Sequence, residues 1–509
     1  MSPMTDQPLT FGTAGLRGPM RDGPGGMNVE TVMRATWALA KVLKDDPGGG
    51  SAVVVGRDAR HHSDDFALAA AEVLAAEGFS VTLLLDAVPT PVVAFAVRDR
   101  DAVAGVQITA SHNPATDNGY KVFAAGGMQI ISPTDRDIEA AMSAAPADIA
   151  RAEVDPTGAD VIHEYIRRAA SVRRGDGAVR VALTPMHGVG GEIALQALRQ
   201  AGITDVHVVE SQYDPDPDFP TVAFPNPEEP GATDQLLALA AEVNADVAIA
   251  LDPDADRCAV GIPTANGWRM LSGDETGWLL GDYVLTQVDP GVTSSCVVAS
   301  TVVSSRMLAA IAAHHGAEHV ETLTGFKWLA RADAGLPGKT LVYAYEEAIG
   351  HCVDPAAVRD KDGISAAVLV CDLVAELRRD DRTVPDALDA LFQRHGLHVT
   401  GAVSARFPDA STAATAVARL RDAPPDRLAG YPVTVEDLSL RRGQFQTDAL
   451  ILSGGDADTA VRVVVRPSGT EPKLKSYIEV GLTRCDDLVF ARAKAQRLMS
   501  ELIGAVESW

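Results

Sequence analysis

Several short segments of this chain combine residue types suited to handling anions and hydroxyls. The first is an apolar stretch, Gly105 to Ile108, that ends in Thr109, Ala110, Ser111, His112, Asn113 and Pro114. Proline disfavours the helical region in the residue before it, so Ser111 falls in a loop at a strand end, where α/β folds place ligands. A nucleophilic serine suits that position; an ordinary turn held by Asn113, with His112 in solvent, accounts for the same residues. The second is the strand-like run Asp246 to Leu251, which leads directly into Asp252, Asp254, Asp256 and Arg257. Three carboxylates at alternate positions make a hard, oxygen-only site suited to Mg²⁺, an ion that binds few carboxylates and takes phosphate oxygen as a further ligand. Without a cation they repel one another. An EF-hand is excluded: its loop needs glycine sixth and glutamate twelfth, where this one has Arg257 and Pro263.

A third segment, Val463 to Lys475, carries Arg466, Ser468, Gly469 and Thr470. An arginine fork, two hydroxyls and glycine-freed amides all offer donors to a phosphate, although a charged β-turn has the same composition. A fourth places Glu346 and Glu347 after the strand-like Thr340 to Ala344. Adjacent carboxylates there accept hydrogen bonds from vicinal sugar hydroxyls, or else start a helix with favourable charge. A fifth, Phe11 to Gly18, is a glycine-rich loop with one cation, Arg17, and matches neither a dinucleotide fingerprint nor a P-loop.

The elements that must position these loops show a weak repeat. Strand, helix and strand follow in order at Ser51–Val55, Asp64–Gly78 and Ser80–Leu85. The order recurs at Val179–Leu183, Gly191–Ala201 and Val206–Val209, and again at Ser295–Ala299, Val303–His315 and His319–Leu323. Such units predict parallel strands joined by crossover helices. Turn-forming stretches, Ala144–Gly158 and the proline-rich Asp214–Pro230, separate them. After Gly396 the pattern changes to strands at Val399–Arg406, Val433–Asp437, Ala460–Val465 and Lys475–Val480, closed by a helix over Asp486–Val506. The reading is α/β: three similar α/β domains at 1–155, 156–272 and 273–395, then a smaller α+β domain at 396–509.

The 509 residues are 46% hydrophobic, enough for several cores. A net charge of −25 argues against nucleic acid or an anionic membrane as partner, since both need a basic face. The five cysteines are odd in number and scattered without CxxC spacing, which indicates neither a disulfide framework nor a zinc cluster. With no signal-like pattern in residues 1–10 and no long apolar run, the expected location is the cytoplasm.

Taken together, Thr109–Pro114, Asp252–Arg257, the Glu346–Glu347 loop and Arg466–Thr470 resemble the α-D-phosphohexomutase superfamily over essentially the whole length. The resemblance implies four domains around a central cleft, a phosphoryl group carried on Ser111, and Mg²⁺ held by Asp252, Asp254, Asp256 and an oxygen of that phosphoserine. It further implies a sugar 1,6-bisphosphate as intermediate and activator, and small sugar phosphates as substrates. Lys121 and His112 are implied as proton-transfer groups, with Arg17 and Arg257 beside the reacting phosphoryl group and Lys121 needing a depressed pKa to act as a base. Gly325, Phe326, Lys327, Glu346, Glu347, Arg466, Ser468, Gly469 and Thr470 are implied as substrate-binding residues.

Phe11–Gly18, Leu323–Trp328, Glu346–Gly350 and Lys361–Ser365 look like the phosphoglucomutase and phosphopentomutase branch, in which many bacterial members are called phosphomannomutases. Glucose phosphate is the expected substrate, with mannose or pentose phosphate as the alternative, because Ala348 stands where glucose-phosphate mutases have serine. A haloacid-dehalogenase-like phosphatase also has closely spaced aspartates after a strand, but it would make Asp252 the nucleophile. Phosphopeptide mapping of freshly purified active enzyme separates the two: the phosphate is expected on Ser111, and an unmodified Ser111 counts against the mutase.

Overall fold

Valine-rich runs with no polar face can be buried only inside a sheet covered on both sides, and the chain puts them there. The computed structural model describes residues 8–12, 14–45, 51–467, 473–483 and 485–509. Strands β1 (Leu16–Pro19), β2 (Ala52–Arg57), β3 (Ser80–Leu83), β4 (Ala104–Ile108) and β5 (Asp117–Ala124) form a sheet ordered β1-β5-β4-β2-β3, with β6 (Met128–Gln129) beside β5. β2 is parallel to β3 and β4, whereas β4 turns back antiparallel into β5. Every residue of β4 is buried.

A second sheet repeats this plan. β7 (Arg180–Thr184), β8 (Asp205–Val208), β9 (Val247–Leu251), β10 (Cys258–Thr264) and β11 (Gly267–Met270) run in the order β11-β10-β9-β7-β8. β7 is parallel to β8 and β9, and β9 turns back antiparallel into β10. The chain forms two compact units, Met1–Thr276, Gly325–Asp333 and Leu341–Asp381 in one and Gly277–Thr324, Ala334–Thr340 and Arg382–Trp509 in the other. In the second unit β12 (Cys296–Thr301) pairs in parallel with β13 (Glu318–Thr322). In the first, the hairpin of β14 (Thr340–Glu346) with β15 (Gly350–Cys352) repeats the antiparallel return. The expected β-α-β units are present. What the pattern did not disclose is the antiparallel strand beside β4, β9 and β14. In β5 the reason is plain, because buried Asn118 and Lys121 interrupt its apolar alternation.

Helix Thr90–Asp99 lies unusually close to the first sheet. A Cβ on Gly56 would come within 2.5 Å of Val93, and one on Gly105 within 2.4 Å of Val97, so glycine at these two sheet positions is what admits the helix. That approach delivers Thr90, at the helix N-terminus, to the loop after β9.

In the second unit, Leu397–Arg406, Lys473–Leu482, Thr459–Pro467, Leu450–Gly455 and Thr434–Asp437 form an antiparallel sheet in that order. Helix Leu488–Glu507 closes the chain against its first two strands. All five cysteines are free and buried, and no helix among the described residues is long and apolar enough to cross a membrane.

Among its described residues the second unit buries one acid, Glu479, which accepts hydrogen bonds from the Ser305 hydroxyl at 2.7 Å and the Arg306 amide at 2.9 Å and meets His398 Nδ1 at 2.8 Å. Burial alone would raise this carboxyl, but His398, Arg306 and Ser305 outweigh it and lower it from 4.5 to about 2. A depressed carboxylate stabilises the fold above its unfolded pKa, and that stabilisation is lost as pH falls through the folded value. Glu479→Gln should therefore destabilise the second unit by about 3 kcal/mol near neutral pH. Calorimetry should also show that the variant lacks part of the wild-type loss of Tm between pH 4.5 and 2.

Candidate active site

The loop after β4 contains the expected turn, with the Asn113 amide donating to Ala110 O at 3.1 Å. Its serine nevertheless points inward. Ser111 is buried, adopts a left-handed backbone with φ +54°, and donates from Oγ to Asp252 Oδ2 at 2.9 Å. A non-glycine residue held at positive φ is strained, and such strain persists only where the surroundings over-determine it. His112 Nδ1 lies 3.3 Å from the same Oγ. Burial, followed by the Arg257 and Arg17 charges, pushes His112 well below its ordinary value, so the ring is neutral.

Asp252, Asp254 and Asp256 are all buried, each with a carboxylate oxygen within 4.8 Å of the others. Asp252 accepts from Ser111 Oγ on one oxygen and from the Arg257 amide on the other, at 3.0 Å. Asp254 Oδ2 accepts from Lys121 Nζ at 2.7 Å and Thr90 Oγ1 at 2.5 Å; Asp256 Oδ2 accepts from Lys121 at 2.9 Å. The remaining oxygens, Asp254 Oδ1 and Asp256 Oδ1, are buried without a hydrogen bond. Buried acceptors are seldom left unsatisfied, and two on one loop mark a place for a cation. The donor set, all carboxylate oxygen with a serine oxygen beside it, fits Mg²⁺.

The three carboxylates do not share one electrostatic fate. Burial, then Asp254 and Asp256, push Asp252 well above the carboxylate range. Asp254 goes the opposite way: burial would raise it, but the charge and hydrogen bond of Lys121 hold it far below that range. Lys121 is raised in turn, since Asp254 and Asp256 outweigh its desolvation. In this arrangement it is a firm ammonium, the reverse of the depressed pKa a base requires.

Four more charged groups face the loop. Arg257 lies 3.8 to 4.0 Å from Glu228, Asp252, Asp256 and Glu346, and these carboxylates raise it against the effect of burial. Lys361 Nζ is 3.4 Å from Asp256 and sits over the Phe326 ring at 5.4 Å. Arg17, carried by β1 beside β5, donates to Asn113 Oδ1 at 3.4 Å. Glu346, the last residue of β14, is buried and raised, chiefly by desolvation. The Nε atoms of Arg17 and Arg257 are buried without hydrogen-bond partners, leaving two donors unsatisfied beside two unsatisfied carboxylate oxygens.

Comparison with known proteins decides what such a site belongs to. The descriptions phosphoglucomutase/phosphomannomutase α/β/α domains I, II and III match residues 8–147, 163–265 and 272–395. This chain belongs to that family. A probable phosphomannomutase of Haemophilus influenzae is 40% identical over 89% of this chain and 93% of its own length. Mouse phosphopentomutase is 34% identical over 98% of this chain and 87% of its own. A phosphoglucomutase/phosphomannomutase family protein from Burkholderia thailandensis shares the fold, with a TM-score of 0.74 at 20% identity over 98% of this chain and 97% of that one. The protein is thus a sugar-phosphate mutase, an isomerase with three α/β/α domains and a β-rich C-terminal domain.

In this phosphomutase Ser111, His112, Lys121, Arg17, Arg257, Glu346 and the three aspartates share one unit and one cluster. Gly325, at φ +109°, starts the short helix Phe326–Leu329, whose Lys327 is part-buried and lowered by desolvation. Lys327 lines a small cavity with Phe11, Gly12, Gln129 and Asp135, and Gln129 donates to Asp360 at 2.6 Å. Glu347 follows Glu346 in the turn of the β14–β15 hairpin. Arg466 lies near the end of Thr459–Pro467 in the second unit, while Ser468, Gly469 and Thr470 lie outside the described residues.

Sequence reasoning missed Thr90, Lys361 and Arg60 as site residues. The signal available for Arg60 was Gly56-Arg-Asp-Ala-Arg60 directly after a buried strand. Thr90 had none, because its role depends on the close helix packing. Because Thr90 holds Asp254, Thr90→Val should weaken Mg²⁺ binding, read by calorimetric titration, by about tenfold.

Proposed function

We propose that this mutase interconverts the 1- and 6-phosphates of glucose through a phosphoserine at Ser111 and a sugar 1,6-bisphosphate. The observation that carries the reading is the Ser111 Oγ to Asp252 hydrogen bond, made where two carboxylate oxygens and two guanidinium nitrogens lie buried without hydrogen bonds. A phosphoryl group on Ser111 would answer the two guanidinium donors, its oxygens accepting from the arginines, and a divalent cation would answer the two carboxylate oxygens. Asp252, Asp254, Asp256 and that phosphoserine would hold Mg²⁺, which would supply charge neutralisation where phosphoryl transfer most depends on it.

The P–Oγ bond of the phosphoserine breaks as the sugar hydroxyl forms its own bond to phosphorus; the hydroxyl proton passes to a neighbouring base, and the departing Ser111 Oγ takes up a proton from a neighbouring acid. Reversal on the bisphosphate, turned end for end, returns the other phosphoryl group to Ser111. His112 and Lys121 are the proton-transfer groups, with Lys121, an ammonium, on the donating side; Arg257 and Arg17 bear on the transferring group, and Glu346 and Glu347 grip the hydroxyls. Gly325, Phe326 and Lys327 bind substrate phosphate, and the family resemblance gives a phosphate-binding role to Arg466, Ser468, Gly469 and Thr470 as well. The domains are divided at 1–155, 156–272, 273–395 and 396–509, and the enzyme is cytoplasmic.

Two observations bear on alternatives. Both oxygens of Asp252 already accept hydrogen bonds, which disfavours it as the attacking nucleophile of a haloacid-dehalogenase-like phosphatase. Ala348 removes a hydroxyl donor from the sugar loop, and together with the phosphopentomutase relative this favours a pentose phosphate as the second reading. Ser111→Ala should abolish interconversion while sugar phosphates still bind; full activity in that variant would sink the mechanism. Measured kcat/KM for glucose, mannose and ribose 1-phosphates, with a sugar bisphosphate added, should rank glucose first, and a higher value for ribose would replace that assignment.

A further inference from the structure

The strained Ser111 needs something to hold it, and one buried side chain does so from behind. Arg60, 4% exposed, donates from Nη2 to Ser111 O and Asn113 O, both at 2.6 Å, and from Nη1 to Pro114 O at 2.8 Å and Asp117 O at 3.1 Å. Its two terminal nitrogens thus reach four main-chain carbonyls of the one loop, and Nε faces Asp58 at 3.3 Å. Asp58 is itself held by the Arg60 amide at 3.0 Å and the Ser63 hydroxyl at 2.7 Å. The guanidinium lies against the Phe219 ring at 5.1 Å, and the adjacent Asp218 meets His61 Nε2 at 2.8 Å. Phe219 is buried, has φ +48°, and belongs to the proline-rich stretch 214–230, which also brings Glu228 to 3.8 Å from Arg257.

We infer that Arg60 is a positioning residue for phosphoryl transfer: it locks the Ser111 loop in the left-handed conformation that aims Oγ at the acidic loop, and Phe219 fixes Arg60. The carbonyl of a residue points according to its own φ and ψ and those of its neighbour, so gripping the carbonyls of 111, 113, 114 and 117 fixes the backbone rather than the side chain. Only a planar fork spans them. A lysine keeps the charge but is a point donor and cannot reach four acceptors at once. Arg60 touches neither the substrate nor the phosphoryl group, so its loss should move the reacting oxygen while leaving sugar recognition alone. Phosphoryl transfer is sensitive to such displacement, which costs about a hundredfold for about 1 Å.

This inference rests on the phosphoserine reading of Ser111, and the experiment separates the two. Wild type, Arg60→Lys and Phe219→Ala are each incubated with glucose 1,6-bisphosphate. Phosphate on Ser111 is read by intact mass, its discharge to glucose 1-phosphate by rapid quench, and kcat, KM and Tm are measured alongside. The expected result for Arg60→Lys is a kcat and a discharge rate about a hundredfold lower, KM within about threefold and Tm little changed; Phe219→Ala should lose about tenfold in kcat alone. If Arg60→Lys does not fold, Phe219→Ala decides, and wild-type kcat in it overturns the inference. A phosphorylated wild type with an equally fast Arg60→Lys overturns the positioning role alone, as does a fall in kcat matched by a rise in KM. No phosphate on wild-type Ser111 overturns both readings.

Discussion

Three carboxylates buried within 4.8 Å of one another repel strongly unless positive charge is brought to them, and much of the first unit is arranged to bring it. Lys121 comes from β5, Arg17 from β1, Arg257 from the loop itself and Lys361 from the segment after β15. Even so, Asp254 Oδ1 and Asp256 Oδ1 accept no hydrogen bond and Asp252 is driven toward its neutral form. The protein's own cations hold the loop together without donating a hydrogen bond to either of those oxygens. Those two oxygens, with Ser111 Oγ beside Asp252, are the acceptors that one compact divalent ion could take up.

A second regularity concerns where these groups sit. Ser111 lies between β4 and β5, the three aspartates between β9 and β10, and Glu346 and Glu347 between β14 and β15. Each is the turn at which a buried strand reverses into an antiparallel neighbour. Each also contains one non-glycine residue at positive φ: Ser111 at +54°, Ala255 at +51° and Ile349 at +53°. Tight reversals that present backbone and side chain toward a shared site demand such conformations, and the cost is borne by the surrounding sheets. The loops are tied to one another as well, since the Cys258 amide donates to Ile349 O at 3.0 Å and the Thr90 amide to Asp254 O at 2.9 Å.

Much of this architecture was legible in the sequence. The parallel strands announce themselves because a strand buried on both faces must be almost continuously apolar: β9 is wholly so, and β4 is but for Gln107, whose side-chain amide donates to Val88 O. The acidic loop was legible because uncompensated aspartates directly after such a strand have no structural purpose. The antiparallel strands were not: β5 carries Asn118 and Lys121 inward, so its pattern reads as polar although both are buried. Thr90 was invisible for a different reason, because it reaches Asp254 only through the closeness that Gly56 and Gly105 allow.

The sequence by itself determined the inventory: a serine, three aspartates, paired glutamates and an arginine loop, each at a strand end, in an order that identifies the family. Residue type and spacing along the chain suffice for that, since strand ends and turn residues are local. Only the tertiary structure decided which charges meet. It joined Lys121 to Asp254 and Asp256 across 133 and 135 residues and so made it an ammonium, and it closed Arg60 over the Ser111 loop from 51 residues away. Coulomb energy and hydrogen bonding depend on distance in space and on burial, and neither is a property of position in the chain.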